Sequence, residues 1–191
     1  MAPMTHGPWL ALLERQCLPA GAPGWDDLLA GYDFGLLPAE EIQRWVAARP
    51  APGPAARALA VLAGPHLAGF EAALWAAVAE ATGKTPRPGS DRWARAQDRW
   101  RLALLRDAMA APVCDEALAL MVEAIYGAVG CPEDMIELWR PARAGAPAIP
   151  DRGRIRAFIR RREAALAPAK VHRAAWKKGA QDAQGSGIPL G

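Results

Sequence analysis

Prolines and glycines, 18 of each, fall in clusters that cut this chain into segments of helical rather than strand periodicity. The firmest breaks are 19–24, Pro50-Ala51-Pro52-Gly53-Pro54, Gly64-Pro65, 86–89, Gly130-Cys131-Pro132, Pro141 and Pro168. Proline cannot supply a helical amide, and glycine loses the most backbone freedom on ordering, so helices end at such clusters. Between them the spacing of apolar residues predicts helices over Trp9–Leu18, Trp25–Ala30, Ala39–Ala48, Ala55–Leu62 and His66–Ala81. A longer helix is predicted over Trp93–Ala110, with Ser90 as its N-cap and Trp93, Trp100 and Leu104 on one face. Leu118, Met121, Val122, Ile125 and Val129 form a further stripe. Pro132, Glu133 and Asp134 then read as the first turn of a helix that stops at Pro141. Asp151 is placed to cap a last, basic helix ending near Pro168, and residues 169–178 can continue as a short helix. Alternating strand patterns are scarce. The expected fold class is all-α: a compact, irregular multi-helix bundle with a basic C-terminal helical arm.

A chain of 191 residues suffices for one principal hydrophobic core. Forty-four residues are alanine, which favours helix but buries little area, so Trp and Leu must supply most of the apolar burial. Cys17, Cys114 and Cys131 are too few and too widely spaced for a disulfide framework. The first residues lack a basic region leading into a long apolar run. The most apolar stretch, 59–81, is interrupted by Pro65, His66, Glu71 and Glu80 and falls short of the roughly 20 residues of a membrane span. A soluble, cytoplasmic protein is expected. Its predicted organisation is an acidic helical body over 1–149, a basic amphipathic arm over 150–178 and a disordered tail over 179–191.

No residue pattern identifies an active site. His6, His66, His172 and the cysteines show no zinc-ligand spacing. Only folding could gather His66, Cys114 and Cys131, and the simpler expectation makes the two cysteines small packing residues at helix ends. Asp115, Glu116 and Glu123 share one predicted helix, and Glu133, Asp134 and Glu137 share the next, with Glu133 and Glu137 four apart on one face. They lack the E-x-x-H pattern of a diiron site and are expected to be solvated or to complement helix dipoles. There is no phosphate loop and no dinucleotide fingerprint. Residues 118–139 match a helix-turn-helix in outline, but the second helix would be acidic where a nucleic-acid groove favours bases. No catalytic residue, metal ligand or cofactor is assigned, and whether the protein is an enzyme stays open.

Charge is the remaining signal. Residues 1–150 carry 13 Lys or Arg against 17 Asp or Glu, whereas residues 151–191 carry 10 against 3. The basic end contains Arg152, Arg154, Arg156, Phe158, Ile159, Arg160, Arg161 and Arg162, then Lys170, Arg173, Trp176, Lys177 and Lys178. Arginines would attract an acidic partner at long range, and Phe158, Ile159 and Trp176 would supply short-range contact. The function expected from this pattern is a nonenzymatic helical accessory or adaptor protein that contacts a protein partner through the arm. An acidic protein surface or larger complex is the first partner class, nucleic acid the second and a membrane the last. The alternatives are a nucleic-acid-binding regulator and a noncatalytic subunit of an enzyme complex.

Overall fold

A computed structural model describes residues 9–16, 21–62, 67–140 and 149–166. Its helices fall between the predicted breaks: α1 (Trp9–Arg15), α2 (Trp25–Asp33), α3 (Ala39–Ala47), α4 (Pro54–Val61), α5 (Leu67–Thr82), α6 (Asp91–Ala110), α7 (Asp115–Ala128) and α8 (Arg152–Leu166). A 3-10 helix, Glu133–Trp139, stands between α7 and α8. No strand occurs among the described residues, and no helix among them is long and apolar enough to cross a membrane.

Helix α6 is the hub. Its 20 residues extend about 30 Å, and α1, α2, α7 and α8 all pack against it. The run Asp98–Leu105 is buried on every side, although it includes Asp98, Arg99 and Arg101. Ser90 caps its start by accepting the Trp93 amide at 3.3 Å. Trp93 and Trp100 are both core residues, 6% and 0% exposed, so they do not form an interface pair on the outside. The Trp100 indole donates to the Asp27 carbonyl at 2.8 Å. Gly31 of α2 lies under the same ring: a Cβ there would come within 2.5 Å of Trp100 Cζ2. The glycine is required by this close approach.

The other helices are short, and helices of eight or nine residues are marginal by themselves. Side chains distant in sequence satisfy their ends. Glu41 of α3 accepts the Leu10 amide in the first turn of α1 at 2.9 Å. Glu80 of α5 accepts the Ala56 amide of α4 at 3.1 Å. The Gln43 amide group donates to the carbonyls of Leu59 and Leu62, at 3.2 and 2.8 Å, where α4 ends. The amides of Leu10 and Ala56 and the Leu62 carbonyl are helix-end groups that water would otherwise satisfy, while the Leu59 carbonyl also accepts the Leu62 amide at 3.4 Å.

Two expectations need correction. The segment after Pro132 is a 3-10 helix of seven residues and not an α-helix. Three residues per turn stack Asp134 over Glu137, whereas the expected α-helical face paired Glu133 with Glu137. The would-be recognition element of a helix-turn-helix is therefore absent. Cys114 and Cys131 do sit at the ends of α7, but both are exposed rather than packed in the core. Cys131 has φ of 52° and follows Gly130 at 79°, because the Cys131 amide returns to the Tyr126 carbonyl at 2.9 Å in a Schellman turn.

The Gly31–Trp100 contact leads to a direct test. Gly31→Ala should destabilise the protein by about 1–3 kcal/mol through overpacking against the indole. Gly69→Ala, on an open face of α5 with nothing within 4 Å of the added Cβ, should be neutral or slightly stabilising. Urea unfolding of the two variants checks the contrast, and equal effects would remove the steric explanation.

Candidate partner-binding surface on the C-terminal helix

Helix α8 begins where Asp151 accepts the Arg154 amide at 2.9 Å, and its periodicity then sorts the side chains into three stripes. Ile155, Phe158 and Ile159 enter the shared core at 0%, 1% and 8% exposure. Phe158 packs beneath the Arg101 guanidinium, whose central carbon lies 5.2 Å from the ring centroid. Phe158 is thus spent on the protein's own core, while Ile159 keeps a small edge on the surface groove between α6 and α8.

Most of the arginines in α8 are also held internally. Arg152 donates to the carbonyls of Met109 and Val113 at 3.2 and 2.7 Å and pairs with Asp115 at 3.3 Å. It closes the C-terminal end of α6. Arg161 pairs with Glu137 of the 3-10 helix. Arg162 pairs with Asp98 at 2.7 Å and Asp134 at 3.3 Å. Arg101 completes that ring, contacting Asp98 and binding both oxygens of Asp134 at 2.6 and 3.0 Å. Two buried or half-buried guanidiniums and two carboxylates therefore neutralise one another where α6, the 3-10 helix and α8 meet. Arg154 pairs with Asp151 of its own N-cap at 3.2 Å.

Arg156 and Arg160 differ from these. Both are exposed, and neither forms an ion pair among the described residues. Four residues apart, they line one edge of α8 and, with Arg106, Met109 and Ala110 of α6, border a groove of about 360 Å³. Glu163 at its end is occupied by Arg106. The groove thus combines an apolar floor, including Ile159, with two uncommitted guanidiniums. Lys170, Arg173, Trp176, Lys177 and Lys178 lie outside the described residues.

The pairing roles of Asp98, Arg101 and Asp134 were missed in the sequence. Asp98 and Arg101 have helix-pair spacing, but nothing local shows that Asp134 and Arg162 close the ring. No group of three potential metal ligands occurs among the described residues. No known family model matches the chain, and neither a curated protein nor a solved structure does.

Asp134 in this ring and Asp27 on α2, paired with Arg99, respond oppositely to acid. Partial burial pushes the Asp134 carboxyl up, but hydrogen bonds and charge from Arg101, with charge from Arg162, outweigh burial and hold it below its ordinary value. Burial raises Asp27, and its 3.1 Å pair with Arg99 offsets only part of that rise. Asp134 pairing therefore stabilises the fold above the unfolded carboxyl value of about 3.9 and is lost as pH falls through the lower folded value. The Asp27 contribution has the reverse sign: it is present below the unfolded value and lost as pH rises through the raised folded one. Asp134→Asn should flatten the acid limb of a stability–pH curve measured by urea unfolding. An unchanged limb would contradict its role. Arg101→Met should cost about 1–3 kcal/mol, since it takes both hydrogen bonds from Asp134 and leaves buried Asp98 with Arg162 as its remaining partner, while Arg156→Gln should leave stability within about 0.5 kcal/mol.

Proposed function

We propose that the protein is a nonenzymatic helical accessory or adaptor protein that engages an acidic segment of a protein partner along the α6–α8 groove. The observation carrying this reading is the uncommitted pair Arg156 and Arg160 on a helix whose other arginines are neutralised internally. A carboxylate-bearing segment can pair with both guanidiniums while its apolar residues meet Met109 and Ile159. The bundle's part is to hold α8 rigid, so little ordering accompanies capture. We place this activity in the cytoplasm, where the exposed thiols of Cys114 and Cys131 would remain reduced.

Removing the whole arm is a poor test, because Ile155, Phe158 and Ile159 belong to the core. Charge reversal is cleaner. A labelled peptide alternating Glu with Leu should bind the full chain in fluorescence anisotropy and weaken as salt is added. Arg156→Glu with Arg160→Glu should abolish binding while leaving the thermal midpoint close to the parent value. Salt-sensitive binding of mixed-sequence DNA or RNA probes, with none of the acidic peptide, would replace this proposal with the nucleic-acid alternative.

A further inference from the structure

On the opposite edge of α8 from Arg156 and Arg160, a second groove of about 310 Å³ runs between α8 and the 3-10 helix. Arg154, Ala157 and Arg161 line it from α8, while Glu137, Leu138 and Arg140 line it from the other side. The spacing of Arg154, Ala157 and Arg161 puts them on one stripe, and the small Ala157 leaves room between the two guanidiniums. Three cations therefore face one carboxylate, and the lining has an excess of two positive charges. Glu137 engages Arg161, while Arg140 has no ion-pair partner among the described residues. Arg154 uses Nε on Asp151, but its Nη1 is cut off from solvent and has no hydrogen-bond acceptor. A buried donor without an acceptor is costly, and a guanidinium fork is shaped for the oxygens of an anion.

We infer that this groove is an oxyanion site for a phosphoryl group, held by Arg140, Arg154 and Arg161. The excess lining charge matches a phosphate dianion better than a single carboxylate. Arg154 lines the groove while Asp151 holds its Nε, and Arg140 supplies a guanidinium from the facing element. Glu137 acts as an internal competitor, occupying Arg161 until the ligand arrives. The site uses none of the residues assigned to capture of an acidic segment, so either assignment can fail without the other.

Calorimetric titration of the full chain with inorganic phosphate at low ionic strength tests this. Saturable binding is expected, weakened at least about tenfold by Arg154→Gln with Arg161→Gln. Glu137→Gln should tighten binding several-fold by releasing Arg161. That gain cannot arise from misfolding, and the exposed pair it removes contributes little to stability. Arg156→Gln with Arg160→Gln should leave phosphate affinity unchanged. A phosphoserine peptide binding tighter than free phosphate assigns the group to a modified protein, and equal affinity assigns it to free phosphate. The inference is overturned by no saturable heat, by equal weakening in both arginine pairs, by no gain in Glu137→Gln, or by a glutamate-for-phosphoserine peptide binding as tightly.

Discussion

The architecture rests on a charged helix placed at the centre of an apolar bundle. Asp98, Arg99 and Arg101 of α6 are all at or below 7% exposure. A buried charge left without its partner costs about 3–5 kcal/mol, a large share of the about 5–15 kcal/mol that holds an ordinary domain folded. Each neighbour of α6 consequently has an electrostatic task beyond covering apolar surface. Helix α2 brings Asp27 to Arg99, the 3-10 helix brings Asp134 to Arg101, and α8 brings Arg162 to Asp98. Attraction between the layers is directional at these points, and it selects one rotation of each helix from the many that would bury similar areas.

The same requirement changes the meaning of the uneven charge along the chain. Among the described residues, part of the excess of acid before residue 150 and of base after it is an internal complement, since Asp98, Asp115, Asp134 and Glu137 receive Arg152, Arg161 and Arg162 of α8. What a partner can meet is the residue of that cancellation. Among the described residues of α8 it consists of Arg156 and Arg160 on one edge and the partly satisfied arginines beside Glu137 on the other. Net charge alone overstates the basic surface of this helix, and the position of each counter-ion decides which guanidiniums are available.

Much of the helical layout was legible because its signals are local. The Pro-Gly clusters bounded the helices, Ser90 and Asp151 announced helix starts, and Trp93, Trp100 and Leu104 shared a face. The 3-10 geometry of Glu133–Trp139 was not legible, since a proline followed by acids suits the first turn of either helix type. Phe158 and Ile159 presented an ambiguous apolar edge, which equally suits a core and a partner. Their burial against α6 depends on tertiary placement. The Asp98–Arg101–Asp134–Arg162 ring spans three elements, and pairing of that kind leaves no periodic trace. Arg156 and Arg160 became distinctive only once their neighbours were seen to be occupied.

Capping across the bundle also bears on how the chain opens. Terminal amides such as Leu10 and Ala56 belong to helix ends that ordinarily fray and exchange hydrogen through small local fluctuations. Here their acceptors, Glu41 and Glu80, sit on other helices, so releasing either amide requires a carboxylate of another helix to move away. Exchange at those two positions then reports the loss of a contact between helices, and short helices gain protection from their neighbours. The molecule has traded independent helix stability for mutual dependence, and its weakest secondary structure persists as long as the whole does.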